Sequence, residues 1–221
     1  MPAMQALIEA RGVLIAGIYL TIQLFFCSAL IAVVASILAG TLQHSSIRAV
    51  RWMTTIYVEV FRGTSVVVQM FWIYFALPSL GIRFEPFETA VIALGLCFGA
   101  YGSEVVRGAI ASVPKEQYEA TIALSMSVRD KYFRVIYPQA LVSALPPYTN
   151  ILVLLLKSTS AASLITIPEL TFRANSLNQV TFQTTWIFGS VLIAYFLMAT
   201  CVTFSMRQLE QRLSRWRLSA H

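Results

Sequence analysis

From Gly12 to Gln43 the chain runs through thirty-two residues without one Asp, Glu, Lys or Arg. A helix crossing a bilayer needs about 20 mostly apolar residues, and a run this long with no charge has no place on a water-facing surface. Three more charge-free runs follow, Gly63 to Ile82, Val135 to Leu156 and Ala174 to Met206. Only 12% of all residues are charged, where a soluble domain carries roughly a quarter. The chain therefore reads as an all-α integral membrane protein.

A fifth run starts near Thr89 but meets Glu104 and Arg107 before it is long enough to cross. Three residues apart on a helix, these opposite charges share a face and partly neutralise each other, so the span is extended to Ala111. The expectation is one transmembrane domain over residues 1–221, with spans at about 13–41, 60–80, 89–111, 135–157 and 182–206. Only Arg11 precedes the first run, which far exceeds the roughly 7–15 residues of a signal-peptide core, so that helix is expected to stay in the protein. Cys27, Cys97 and Cys201 lie singly in three spans without metal-type spacing and read as small apolar side chains.

The net charge of +6 matters here through its distribution rather than as a nucleic-acid signal, and no nucleic-acid partner is expected. Alternate connections hold Arg48, Arg51 and Arg62, then Lys115, Arg129, Lys131 and Arg134, then Arg207, Arg212, Arg215 and Arg217; the other side holds Arg11, Arg83, Lys157 and Arg173. The positive-inside rule then places the N-terminus outside and the C-terminus in the cytoplasm. The basic tail, partly amphipathic, reads as an anchor on anionic membrane lipid.

The connection 112–134 is conspicuous for its charge. SVPKEQYEATIALSMSVRDKYFRVIYPQA, residues 112–140, opens with Pro114, and Glu116 and Glu119 follow where the start of a helix favours negative charge. Ala120, Ala123 and Ser127 recur at i, i+3, i+7, a face on which small side chains permit close approach of another surface, beside a stripe of Tyr118, Ile122 and Ser125. The plain alternative is a helix packed only on its own loops.

This stretch resembles the EAA loop of permease subunits of bacterial ABC importers, with the pattern Glu-Ala-Ala, three residues, Gly, nine residues, Ile, one residue, Leu-Pro. Here Glu119, Ala120 and Thr121 precede Ser125 at the required interval, and Val135, Tyr137 and Pro138 complete the spacing. Thr121, Ser125, Val135 and Tyr137 depart from the pattern, and Ser125 stands where a glycine could supply a positive φ. FRGTSVVVQMFWIYFALP (61–78), AYGSEVVRGAIASVPKEQYEA (100–120), YPQALVSALPP (137–147) and LKSTSAASLITIPEL (156–170) are similar to the polar amino-acid uptake subfamily.

The resemblance implies a type I ABC importer permease fold of five transmembrane helices in a bacterial inner membrane. Glu119, Ala120, Thr121, Ala123, Ser125 and Pro138 would belong to a coupling helix docking on separate ATP-binding subunits. It further implies a second permease subunit, identical or related, an extracytoplasmic solute-binding protein and an amino-acid substrate moved by alternating access. ATP and Mg would be held by the partner subunits, with no cofactor in this chain.

The residues themselves point away from catalysis. A P-loop needs glycines before its Lys-Ser/Thr, and Lys157-Ser158-Thr159 has none; with two histidines and no metal cluster, neither a catalytic nor a metal site is expected. Lys157 ends an apolar run after Pro146 and Pro147, which are expected to disturb the helix. An intramembrane cation faces a cavity or a partner, with Glu169 or Glu104 as possible partners, or else snorkels to the boundary. Gln69 either lines a path or ties helices together. Candidate pathway residues are Thr64, Gln69, Lys157, Thr159 and Glu169. A secondary transporter driven by an ion gradient, which would carry internal repeats and intramembrane carboxylates, and a structural scaffold are the rival classes.

Overall fold

The computed structural model describes residues 11–218, with side chains to Ser214, and these residues are almost wholly helical. Residues 1–10 and 219–221, and the side chains of Arg215 and Arg217 in the tail reading above, lie outside the described residues. In chain order the helices are α1 (Arg11–Leu42), α2 (Arg48–Gly63), α3 (Val66–Phe71), α4 (Pro86–Ala111), α5 (Lys115–Ala123), α6 (Tyr137–Ser158), α7 (Leu170–Thr181) and α8 (Thr184–Leu218). A wide π turn over Trp72–Ala76 and a 3-10 turn over Leu77–Leu80 prolong α3, and another π turn, Lys131–Ile136, feeds α6. Four helical stretches are long and apolar enough to cross a bilayer: Arg11–Leu42, Pro86–Ala111, Val128–Ile165 and Thr184–Ser214. Arg48–Gly63 and Val66–Leu80, bent by 104° at their junction, make a fifth candidate crossing when the pair is counted as one span.

Helix α4 is the axis of the fold. It begins at a capping box formed by Glu85 and Glu88 around Pro86, the reciprocal arrangement that satisfies the free N–H groups of a first turn. Its inner faces are small: Ala90, Ala93, Gly95, Gly99, Ala100, Gly102 and Ser103 are all buried. In hydrocarbon there is little hydrophobic drive between helices, so association rests on close packing and hydrogen bonds, which small residues allow. A Cβ on Gly95 would lie 2.6 Å from Ile31 Cγ2, and one on Gly99 2.6 Å from Ala35 Cβ. On α1 the facing residues Ser28, Ala32, Ser36, Ala39 and Gly40 repeat at helical spacing and are buried.

Ser36 ties three helices. Its hydroxyl lies 2.6 Å from Ala32 O and 3.1 Å from Gly99 O on α4, and 3.0 Å from the Tyr148 hydroxyl on α6. This anchorage bears on Pro146 and Pro147. Both sit inside α6, which stays an α-helix from Tyr137 to Ser158; packed neighbours hold it where the proline pair removes hydrogen bonds. The helix loosens only beyond Ser158, as a 3-10 segment over Thr159–Ile165.

The second crossing is not one helix over 60–80. It breaks at Thr64 and Ser65, both extended, because the part before the break is a separate helix with a polar face, Arg48, Arg51, Thr55, Glu59 and Arg62, one turn apart from each other. A break among apolar helices must satisfy its freed carbonyls. Gln69 Nε2 donates to Phe61 O at 2.9 Å and to Thr64 Oγ1 at 2.7 Å, the Cys97 thiol reaches Phe61 O at 3.6 Å, and Tyr101 donates to Arg62 O at 3.3 Å.

The last charge-free run also divides. α7 ends at Phe182, whose φ of 52° is left-handed, and α8 then runs unbroken to Leu218. The described part of the basic tail thus continues the last crossing as the same helix.

Candidate functional site

At the end of the molecule where α4 finishes and α6 begins, α5 is fixed by one face only. Tyr118 donates to Ile110 O at 3.2 Å and lies over a cluster of Ala109, Ile110, Val113, Ile136 and Ala140, and Thr121 is buried with its hydroxyl on Tyr118 O. The Lys131 ammonium sits 4.9 Å above the Tyr118 ring. Burial, with Tyr132 nearby, pushes the Tyr118 phenol above its ordinary pKa. On the other face Glu119, Ala120 and Ala123 are exposed, together with Ile122 at 70% and Leu124 at 73%.

The helix ends at Ala123, and residue 125 closes it off for a backbone reason. Ser125 has a φ of 51°, its N–H donates to Ile122 O at 2.9 Å, and Met126 N–H donates to Thr121 O at 3.0 Å. This is a Schellman ending, whose left-handed position usually belongs to glycine. It also overturns the expected i, i+7 continuation to Ser127: that residue instead caps the following turn, accepting from Asp130 N–H at 3.1 Å, while Asp130 pairs with Arg134 at 2.9 Å. Ser125→Gly is expected to stabilise the connection by about 1 kcal/mol, since the left-handed cost of ~1–3 kcal/mol exceeds the ~0.5–1 kcal/mol entropy penalty of glycine. Slower amide exchange over residues 119–126 would register the gain, and Ser125→Val should shift it the opposite way.

Two hollows flank the far end of α6, and consecutive residues enter them. Lys157 lines a hollow of about 640 Å³ with Leu192, Tyr195, Phe196, Thr200 and Arg207, along α8. Ser158 lines another of about 340 Å³ with Thr64, Ser65, Cys97, Tyr101 and Ile151, at the break between α2 and α3. Thr64 thus opens on the second hollow, while Gln69 bridges the break above it. Pro138 stands at the start of α6, one wall of a largely apolar groove of about 380 Å³.

Lys157 is exposed and makes no ion pair among the described residues. Neither suggested carboxylate reaches it. Glu104 is taken by Arg107 at 2.7 Å, with Arg62 at 4.0 Å. Glu169 is fully buried and caps α7, accepting from Phe172 N–H at 2.8 Å and Thr171 N–H at 2.9 Å. Thr159 is likewise buried, with its hydroxyl on Leu156 O at 2.7 Å. The expected pathway residues therefore fall into three places: Thr64 and Gln69 at the break, Lys157 in the larger hollow, Thr159 and Glu169 inside the packing. Ser65, Ser158, Tyr101 and Tyr195 were not read from the sequence; a hydroxyl inside an apolar run is the one signal they give.

The family model described as "Binding-protein-dependent transport system inner membrane component" matches residues 32–215. The probable amino-acid ABC transporter permease protein y4tF of Sinorhizobium fredii (strain NBRC 101917 / NGR234) is 40% identical, covering 91% of this chain and 87% of that one. The L-cystine transport system permease protein TcyB of Bacillus subtilis (strain 168) is 35% identical (92% and 88%), and the glutamine transport system permease protein GlnP of Escherichia coli (strain K12) is 32% identical (94% and 96%). Among solved structures, a chain of an amino acid ABC transporter crystallised with histidines superposes with a TM-score of 0.87 at 28% identity, over 94% of this chain and 97% of that one. A chain of the inward-facing MetNI methionine ABC transporter shares the fold, with a TM-score of 0.79 at 16% identity over 93% and 98%.

Proposed function

The chain belongs to the family of binding-protein-dependent transport system inner membrane components, as an amino-acid ABC transporter permease, and from that membership we propose that it carries a polar amino acid inward by alternating access driven by separate ATP-binding subunits. The observation that carries the reading is α5. Its inner face is pinned to α4 by Tyr118, with Thr121 buried beneath it, while Glu119, Ala120 and Ala123 are left bare. A helix held this way transmits a push or pull on its outer face to the membrane helices behind it, which suits a coupling helix seated on an ATP-binding subunit. An external solute-binding protein and a second permease subunit complete the proposed assembly, with ATP and Mg on the partner subunits. The basic loop charges support an N-terminus outside and a cytoplasmic C-terminus in a bacterial inner membrane. Purification with candidate ATP-binding subunits tests the reading: co-elution and ATP hydrolysis stimulated by loaded binding protein are expected, and their absence overturns it.

Lys157 is the residue proposed to meet the substrate. It stands near the far end of α6 and lines a hollow large enough for an amino acid, and among the described residues no carboxylate pairs with it. A cation lining a largely apolar hollow attracts a substrate carboxylate. Lys157→Met keeps the stem and removes the charge. Uptake is expected to fall at least tenfold with assembly unchanged, whereas a snorkelling lysine would leave uptake intact.

A further inference from the structure

We propose that Tyr195 is a positioning residue that couples the filling of the Lys157 hollow to the placement of α7. One side chain belongs to both places. Tyr195 lines the same hollow as Lys157. Its hydroxyl donates to Glu169 Oε2 at 3.1 Å and lies 3.3 Å from Thr171 Oγ1, at the first turn of α7.

The carboxylate makes this contact consequential. Glu169 is fully buried, and of its close donors the Phe172 and Thr171 N–H groups belong to α7 and travel with it. Tyr195 comes from α8 and ties the cap to a different element. Thr21 on α1, 3.5 Å from Oε2, is better placed to give its proton to Gly17 O at 3.0 Å while accepting Leu170 N–H at 3.2 Å. On the α1 side the attachment is mainly packing: a Cβ on Gly17 would lie 2.9 Å from Leu170 Cα, and Leu14 and Ile18 lie against Leu170, Ala174, Ile187 and Val191.

A buried carboxylate short of a donor is far less stable than a satisfied one. A solute pressing on the Tyr195 ring would move its hydroxyl, and a displacement of about 1 Å already spoils a hydrogen bond. α7 must then follow the ring or give up the contact. Occupancy of the hollow is in this way reported to a helix that lies beyond it, without α7 touching the solute.

The inference rests on the permease reading of the hollow, and the test separates the two. In the assembled complex with its ATP-binding subunits and loaded binding protein, Tyr195→Phe keeps the ring and removes the hydroxyl. The maximal solute-stimulated ATPase rate per assembled complex is expected to fall about tenfold, with the half-saturating solute concentration changed less than twofold. The double variant with Glu169→Gln should be no worse than the more severe single variant, because both act on one contact. A raised half-saturating concentration at an intact maximal rate would make Tyr195 a substrate ligand and overturn the inference. So would independent, additive losses, or a fall in assembled complex with the rate per complex unchanged. If the parent complex shows no solute stimulation, the permease reading fails and this inference with it; if the parent is stimulated and Tyr195→Phe matches it, only this inference fails.

Discussion

An Ala123→Arg variant is expected to insert and fold like the parent and to lose transport. Ala123 is the last residue of α5 and is exposed, so the new side chain meets no internal neighbour. A cation at the end of a helix is favourable by about 0.3–1 kcal/mol, so the helix itself does not suffer. The damage falls on docking: close-packed surfaces do not admit a long side chain, and a guanidinium without a partner resists burial. Stimulated ATP hydrolysis and uptake should drop to background, read against an unchanged amount of membrane-inserted subunit. Transport at the parent rate would mean that this face is not the interface. Thr121→Arg is the contrasting case, because Thr121 is 2% exposed and points into the packing beneath α5; there the expected loss is of the folded connection itself.

The second large effect concerns the membrane core. Gly102 is buried on α4 where a Cβ would run into Ser36 Oγ and stand 2.7 Å from Tyr148 Cε2. Gly102→Leu must displace both partners of the Ser36–Tyr148 hydrogen bond and push α1 and α6 away from α4. The expected penalty is about 3 kcal/mol or more, the upper end of what overpacking costs. It would appear as loss of monodisperse protein in detergent and a lowered midpoint of thermal unfolding. Gly108→Ala on the same helix is the control: nothing lies within 4 Å of its Cβ, and alanine is better than glycine in a helix by about 0.5–1 kcal/mol. A Gly102→Leu variant as stable as the parent would show that α1 and α4 tolerate separation.

The membrane class and the exposed charged connection were legible along the chain because their signals are local. Charge-free length declares a crossing whatever packs against it, and the Glu104–Arg107 spacing lets α4 carry its ion pair to Ala111. The interval from Glu119 to Pro138 marks the proposed coupling segment by resemblance, and Ser125 in its glycine position raises the matter of positive φ before any coordinates.

What the sequence left open depends on neighbours distant in the chain. The 60–80 stretch reads as one apolar run, yet Gln69, Cys97 and Tyr101 together supply the donors that let α2 end at Gly63 amid packed helices. Pro146 and Pro147 read as a disturbance, but α6 continues through them beside the anchorage of Tyr148 to Ser36. Lys157 and Glu169 read as possible partners because both are rare intramembrane charges; the fold turns one into a cavity and seals the other under a helix start.

The sequence by itself thus determined that this chain crosses a membrane as helices and presents a charged connection outside it, since hydrophobic length and charge act residue by residue. Only the tertiary structure decided where those helices break, which polar groups are used up in mending the breaks, and which of the remaining ones face open space. A buried donor or acceptor takes its partner from whichever element packing brings near, and no periodicity along one segment records that neighbour.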